Sequence, residues 1–410
     1  MKIVCIGGGP AGLYFALLMK LRDPGHDVTL LERHPAGVTP GFGVTFGTGL
    51  LRQLHRCDPV SARQIEQAMF RCSGQVVDVA GTRVPTTAGG AHTISRSRLL
   101  GILASRAEEL GARVEFGHEV RGLERLPAAD LTVICDGVNS RARREAGAFG
   151  TRARTGANKV IWLGTEREFP AFMFSFSRTP SGWIWAYIYG NGDGTSTVNV
   201  ECSAATWSGL GFDTLPVRDC LTQLERFFER NLDGHRLHAQ ERDGEEARWL
   251  DFRTITNQRW QHGSLVLAGD AAHTTHFSIG SGTTLAIEDV MALAGSLRQH
   301  ADLGRALTAY ERQRQAAICQ RQSDSRFSAR WFENIPRYIG LPPEEFARLL
   351  YARRSPLVAR LPPRMSCLLL RASARASAPR ELHRRAGPVV RAAYRRGRPH
   401  RGGGHVAKPS

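Results

Sequence analysis

"KIVCIGGGPAGLYFALLMKLRDPGHDVTLLER", residues 2–33, decides the fold. Lys2 to Ile6 is an apolar run of strand length. Leu13, Ala16, Leu17 and Lys20 then recur at a helical period, Asp23-Pro24-Gly25 stops that helix, and Val28 to Leu31 is the next strand. Strand, turn, helix and strand make a βαβ unit with a parallel pair. Between the first strand and the helix, Gly7, Gly9 and Gly12 stand at Gly-x-Gly-x-x-Gly spacing, with Pro10 and Ala11 at the helix start. Gly7 permits the tight turn, Gly9 lets backbone amides approach a pyrophosphate, and Gly12 lets helix and sheet pack closely. Glu32, followed by Arg33, ends the second strand twenty residues after Gly12, where a carboxylate accepts ribose hydroxyls. A bound dinucleotide is expected here.

Two later stretches share this character. Arg98 to Leu110 carries apolar residues at 99, 100, 103, 107 and 110 and stops at Gly111, an amphipathic helix. Leu131 to Cys135 is a buried strand that runs into "DGVNSRAR", with Asp136-Gly137 at its end. Between about 157 and 255 the period changes to two. Phe172, Phe174 and Phe176 alternate, "RTPSG" turns, and Trp183, Trp185, Tyr187 and Tyr189 alternate again, which reads as a β-hairpin. Thr195 to Cys202 is a further strand, and Asp213 to Asn231 a helix. After 255, "SLVLAGD" is a strand and a long helical pattern begins at Thr283. The expected class is α/β with mixed α+β character. A Rossmann-like nucleotide domain on a parallel sheet (1–156 and 256–330) is interleaved with an antiparallel-sheet substrate domain (157–255). A C-terminal helical segment (331–365) and a basic, disordered tail (366–410) follow.

The chain has 410 residues, 42% hydrophobic and 23% charged, the composition of a globular protein with a substantial core. Its net charge of +17 is concentrated at the end, because residues 366–410 hold eleven Arg and Lys against the single acid Glu381. Neither interleaved aromatics nor zinc spacing marks that tail as a nucleic-acid binder, and no nucleic-acid partner is expected. The eight cysteines form no Cys-x-x-Cys pair. "GGGPAG" interrupts the apolar start, so no signal peptide is expected, and no run reaches membrane-span length. A cytoplasmic chain with reduced thiols and no metal site is expected.

The fingerprint, the Asp136-Gly137 segment and the Gly269-Asp270 of "GSLVLAGDAAH" occur in an order that resembles the FAD-dependent aromatic hydroxylases of the para-hydroxybenzoate hydroxylase superfamily. "ISRSRLLGIL" resembles that family's Arg-x-x-Leu helix start and puts Arg96 on an arginine that contacts FAD; by itself the residue also reads as a surface charge. "NKVIWLGT" from Asn158, "TSTVNVECSAATW" from Thr195, "GDAAHTTHFSIGSGTTLAIEDV" from Gly269 and "WFENIPRYIGLPPEEFARLL" from Trp331 are similar to one subgroup. That subgroup contains salicylyl-CoA 5-hydroxylase, 2-aminobenzoyl-CoA monooxygenase and the tryptophan hydroxylase of violacein biosynthesis. The likeness runs to about residue 355. Phe277 and Thr284 stand where the wider superfamily usually has Pro and Asn.

The resemblance implies FAD, held by the fingerprint, Arg96, Asp136-Gly137, Gly269-Asp270 and the loop through Gly280, Gly282, Thr283 and Thr284. It implies NADH or NADPH as a transient reductant, since "GNGDG" at 190–194 is a turn and no second fingerprint is present. It further implies O2, a small aromatic substrate, and a monomer or homodimer. The implied reaction is hydroxylation of an electron-rich ring through a flavin C4a-hydroperoxide, the substrate being an aromatic acyl-CoA or other thioester. A free indole, another natural-product aromatic, or an intermediate bound without oxygenation are the alternatives. Phe46 of "GFGVTF", Trp183, Trp185, Tyr187 and Phe277 are the candidate substrate wall, although the hairpin residues equally suit an ordinary core. His276 is the candidate catalytic residue, with proton transfer and positioning both open, and His273 reads as a loop-shaping residue.

Overall fold

A computed structural model of the chain describes residues 1–86, 91–240 and 248–373. Residues Met1–Ala359 form one unit, built on two large sheets. The first has six strands, in the order Gln261–His262, Leu265–Leu267, Leu131–Ile134, Lys2–Ile6, Asp27–Glu32, Arg113–Phe116. All neighbours are parallel except the terminal hairpin at 261–267. The βαβ unit is as expected, with Lys2 to Ile6 paired in register with Asp27 to Leu31.

Its helix, Pro10–Arg22, starts on a proline, whose fixed φ suits the first helical position and whose missing N–H has no helical partner to lose. Residues 10–20 are all buried, so this helix is apolar on every side and lies inside the layer. Tyr14, Phe15 and Leu17 each contribute roughly 1.5–3 kcal/mol by leaving water. Beyond Asp23, Pro24 has no N–H to continue the helix, and Asp23 Oδ1 accepts the Gly25 N–H at 2.8 Å to close the turn. Helices Arg96–Glu109 and Gly282–Gln299 flank it, close to the expected bounds.

The second sheet runs Leu237–Ala239, Arg152–Thr165, Ser196–Ser203, Gly182–Gly190, Phe172–Thr179, Gln75–Val79, Thr82–Thr86, with Leu250–Thr256 also paired to Arg152–Thr165. It is antiparallel except where Phe172–Thr179 meets Gln75–Val79. The expected boundary at 157 therefore needs correction, because Gln75–Val79, Thr82–Thr86 and the start of Arg152–Thr165 belong to this sheet. Gln75–Val79 and the start of Arg152–Thr165 have partners about a hundred residues away, Thr82–Thr86 only extends the sheet as a local hairpin, and short strands of mixed polarity carry no local sign of so distant a pairing. The hairpin has the expected alternation: Phe174 faces Tyr187 and Phe176 faces Trp185 across the pair. On the opposite side Met173, Ile184, Ile188, Val198 and Val200 pack with Cys220, Leu224 and Phe228. The helix expected at 213–231 is two pieces, Val217–Phe227 and Glu229–Leu232. The ring of Pro216 fixes an extended cap in front of the first.

The aromatic side of this sheet is covered, not open. The 31-residue helix Leu303–Glu333 brings Phe332 against Trp185 and Tyr187, with ring centroids 5.9 and 5.2 Å apart. Helix Pro343–Tyr351 brings Phe346 within 4.8 Å of Phe176. A three-stranded sheet of Gly43–Phe46, His92–Ser95 and Phe70–Arg71 abuts the hairpin, where the Tyr189 hydroxyl donates to the Gly43 carbonyl at 3.0 Å. The second unit, Arg360–Ser410, is described as far as residue 373. There residues 363–373 are helical, so the expected tail does not begin at 366; residues 374–410 lie outside the described residues.

Candidate active site

Three strand ends of the parallel sheet converge on the glycine turn. Gly7 has φ +107, and a Cβ there would sit 2.5 Å from the Cys135 carbonyl oxygen; a Cβ on Gly12 would collide with the Gly7 carbonyl oxygen. At Gly9 a Cβ would meet nothing within 4 Å, so this glycine faces open space. Gly7 and Gly12 are thus held in close packing, and Gly9 leaves room beside the turn. Glu32 accepts the Gly8 N–H at 2.5 Å and the His34 N–H at 2.8 Å, which fixes its carboxylate beside the turn. Arg33 is exposed beyond it and donates only to His34, at 3.2 Å.

Asp136, after the third strand, accepts from the amides of Arg141 and Ala142 with Oδ2, while its buried Oδ1 has no partner. Burial raises its pKa against those hydrogen bonds. Gly137 has φ +85, the left-handed turn that glycine allows. Arg143, which carried no expected role, donates to Ala271 O at 2.8 Å and Val138 O at 2.9 Å and ties the Asp136 segment to the Gly269 loop. Asp270 is exposed, and among the described residues nothing donates to its carboxylate. Its pKa is nonetheless raised, first by desolvation, with His273 and Arg96 opposing. An accessible carboxylate that protein still desolvates lies in a concave cleft. Arg96 donates to Thr39 Oγ1 at 3.0 Å, and its charge is favoured by Asp270 and Glu32 against the penalty of burial. One arginine in the field of both carboxylates joins the two halves of a single extended site.

The loop after Asp270 is held from behind. Asp289 is fully buried and accepts from the Gly269 amide at 3.0 Å, His273 Nε2 at 2.8 Å and Arg314 Nε at 2.7 Å. Burial alone would raise its pKa; His273 and Arg314 overcome that and lower it. His273, stacked on Trp260, shapes the loop as expected. Gly280 has φ +59 and packs on Thr45, and Ser281 leads into Gly282, Thr283 and Thr284, the first turn of Gly282–Gln299. The free amides of that turn carry the helix's positive end toward the cleft.

Between cleft and sheet lies a polar network that the sequence did not announce. Glu201, fully buried on Ser196–Ser203, accepts from Asn158 Nδ2 at 2.7 Å, Trp185 Nε1 at 3.1 Å and the Tyr187 hydroxyl at 2.6 Å. Burial pushes its pKa up to about 7 against those three donors. His276 Nε2 stands 3.9 Å from Glu201 Oε1. His276 Nδ1 lies 2.7 Å from Ser278 Oγ, which lies 2.7 Å from Ser328 Oγ, and Arg353 Nε donates to Ser328 at 2.9 Å. Burial, then Arg353, lowers the His276 pKa to about 3, so its imidazole is neutral.

The expected wall residues separate. Phe277 meets Tyr187 edge to face at 5.1 Å and Phe252 at 5.9 Å, so the loop and hairpin do come together. Trp185 and Tyr187 are 2% exposed and spend their polar atoms on Glu201, making them core rather than open wall. Phe46 is 4% exposed and belongs to the core of the first layer, which corrects its expected place in the wall. Trp183 is half-buried toward the hairpin end, opposite Arg178. Among the described residues no His, Cys, Asp and Glu cluster suits a metal ion, and no helix is long and apolar enough to cross a membrane.

Fold and site together define a dinucleotide-binding architecture, in which a parallel-sheet cradle is joined to an antiparallel sheet. The family model described as FAD binding domain matches residues 1–128 and 125–323, and the chain belongs to that family. It is 37% identical to salicyloyl-CoA 5-hydroxylase of a Streptomyces species, over 83% of this chain and 66% of that protein, so it spans just under two thirds of this relative's length. It is 33% identical to 3-hydroxy-4-methyl-anthranilyl-(aryl-carrier protein) 5-monooxygenase of Streptosporangium sibiricum, over 82% of this chain and 90% of that one. Protodeoxyviolaceinate monooxygenase of Chromobacterium violaceum is 28% identical over 87% and 95%. Among solved structures, 2-methyl-3-hydroxypyridine-5-carboxylic acid oxygenase shares the fold, with a TM-score of 0.67 at 20% identity over 86% of this chain and 98% of that one. FAD is the cofactor of the family, and the cradle fits it: a glycine open to the cleft, an orphaned carboxylate oxygen at Asp136 and an unbonded carboxylate at Asp270.

Proposed function

We propose that the chain is a single-component monooxygenase that uses NADH or NADPH and O2 to hydroxylate an aromatic ring bearing a hydroxyl or amino group and presented as an acyl thioester. One observation carries the reading. The loop that begins at Asp270 beside the glycine turn runs directly to Phe277, against Tyr187 of the second sheet, which supports a flavin ring and an aromatic substrate meeting near Phe277. The thioester rests on the two relatives above 30% identity, both named for thioester-linked aromatic substrates.

FAD, when bound, supplies reduction by NAD(P)H and activation of O2. Gly9 and the helix start at Pro10 suit its pyrophosphate, Glu32 its ribose, and Arg96, Asp136, Gly137, Gly269 and Asp270 the stretch between. The amides of Gly282 to Thr284 favour negative charge at the flavin ring. Phe252 and Phe277 exclude water from the reacting face. His276 holds the loop and transfers no proton, because its neutral imidazole is buried and Nδ1 is taken by Ser278. The first layer, 1–156 and 256–330 less the strands at 75–86 and the strand residues 152–156, would be the FAD-binding part and the second sheet the substrate part. The chain would act in the cytoplasm, a reading supported by its free cysteines, and as a monomer or homodimer.

The test is turnover of purified protein with FAD and NAD(P)H on salicyloyl-CoA, 2-aminobenzoyl-CoA, their free acids and tryptophan, followed by product mass. Thioester products that gain one oxygen, with substrate-stimulated NAD(P)H oxidation, are expected. Product from tryptophan or the free acids alone overturns the thioester, and bound flavin without product from any of them overturns oxygenation.

A further inference from the structure

The buried carboxylate of Glu201 has no place in the reading so far. It sits on the sheet, yet the group nearest to it on the loop is His276. The hydrogen bonds around His276 run in one direction, and the direction can be derived. The Ser278 amide donates to His276 Nδ1 at 3.3 Å, so Nδ1 is an acceptor and the Ser278 hydroxyl must spend its proton on it; Ser278 Oγ can then only accept from Ser328 Oγ, which itself accepts from Arg353 Nε. Nδ1 is therefore the acceptor of the ring, and the proton is on Nε2, toward Glu201. Arg353 adds a bond from Nη2 to the Ser278 carbonyl at 2.6 Å, and Ser325 Oγ accepts the His276 amide at 2.6 Å. The loop is thus tied on one side to the helix Leu303–Glu333 and to Arg353, just past Pro343–Tyr351; on the other, Phe277 packs on Tyr187 and Phe252, and His276 Nε2 approaches the Glu201 carboxylate at 3.9 Å.

We propose that Glu201 is a positioning residue for the flavin-holding loop, acting through His276: ionised, it draws the Nε2–H and seats residues 276–284; protonated, it releases them. Three donors on the sheet keep the ionised form in place. Once protonated, Glu201 presents an O–H to a ring nitrogen that already carries a proton, and one of the two donors is left without an acceptor. Moving the ring proton to Nδ1 would cost the Ser278 amide its acceptor, so the loop loses a bond by either route. The groups facing Glu201 are Tyr187 on the neighbouring strand, His276 on the loop and Glu333 at the end of the long helix, with Cys202 next in the chain but on the opposite face; Glu333 raises its pKa, while Arg353 acts on Tyr187 and His276 instead. Burial sets the balance near neutrality, at about 7.

The inference rests on the flavin assignment and on no choice of substrate. The experiment is FAD binding to the flavin-stripped chain, read by flavin fluorescence from pH 6 to pH 8, in the wild type, Glu201→Gln and Tyr187→Phe. The wild-type Kd should fall at least threefold across that range. Glu201→Gln, which keeps the shape and cannot ionise, should be flat and match the weaker, acidic value. Tyr187→Phe removes a donor to the ionised form and should move the midpoint to higher pH. Wild-type pH dependence surviving in Glu201→Gln, a flat wild type, or an unmoved midpoint in Tyr187→Phe would overturn the proposal. Should Glu201→Gln hold no FAD at any pH, the Tyr187→Phe midpoint decides. Unchanged FAD linkage without hydroxylated product overturns the function and leaves this inference standing.

Discussion

Asp270 and Asp289 are nineteen residues apart on one loop and helix and have opposite employments. Asp270 is exposed with no donor to its carboxylate, so its charge is free for a ligand; Asp289 is fully buried and already accepts from an amide, an imidazole and a guanidinium. Removing each charge should therefore fail differently. Asp270→Asn should leave thermal stability unchanged or slightly higher, since desolvation by the surrounding protein and the nearby Asp289 disfavour its charge. Its FAD Kd should rise at least tenfold, a loss of about 1.4 kcal/mol. Asp289→Asn strands Arg314 and His273 in the core, and breaking a buried pair costs about 3–5 kcal/mol. Urea unfolding of the flavin-free protein and FAD titration of both variants separate the two roles. Equal stability loss in both would refute the division.

The segment 276–280 is where helices, loop and sheet meet, and its attachments belong to elements rather than to single residues. Ser325 and Ser328, one turn apart on Leu303–Glu333, hold the His276 amide and the Ser278 hydroxyl, at 2.6 and 2.7 Å. Ser328→Ala leaves Ser278 and the Arg353 Nε short of a partner and should destabilise by about 1–3 kcal/mol. FAD affinity should fall with it, whereas Ser328→Thr, which retains a hydroxyl, should restore affinity. Scanning calorimetry with a parallel flavin titration checks both. Legibility in the sequence follows the same division. The turn at Gly7 to Gly12 and its partner Glu32 are local, separated by a single helix, and spacing alone found them. Glu201 lies in "STVNVECS", where Val198, Val200 and Cys202 take one face and Thr197, Asn199 and Glu201 the other. That pattern reads as a half-exposed strand with a polar outer face. Elements seventy or more residues later, the loop at His276 and Phe277 and the helices Leu303–Glu333 and Pro343–Tyr351, cover that face and turn a solvent-facing acid into a buried one. A faint signal was present, since the hairpin's aromatic residues share the face of Glu201, and a face with Trp185 and Tyr187 on it needs a cover. Gln75–Val79 was hidden for the same reason, as its partner strand lies far along the chain.

For the molecule as a whole, the two layers put a carboxyl with a raised pKa against an imidazole with a lowered one, and their effects on stability oppose each other. Glu201 moves from an ordinary 4.5 to about 7, so between those values the folded state holds a proton that the unfolded chain has lost, and stability falls as pH rises. His276 moves from 6.5 to about 3, so between those values the unfolded chain holds a proton that the folded state refuses, and stability rises with pH. Each slope is about 1.4 kcal/mol per pH unit, and between pH 4.5 and 6.5 the two cancel. Glu201→Gln removes only the falling slope. Relative to wild type, its unfolding free energy should climb by roughly 2–3 kcal/mol from pH 4.5 to 6.5. His276→Gln removes the rising slope instead and should lose ground to wild type over the same interval. Unfolding each protein in urea at pH 4.5, 5.5 and 6.5, without flavin, measures the differences directly, and groups common to all three proteins drop out. A difference between Glu201→Gln and wild type that stays level or falls across the interval would mean that Glu201 ionises in the folded chain as it does in water, and the opposition between sheet and loop would not exist.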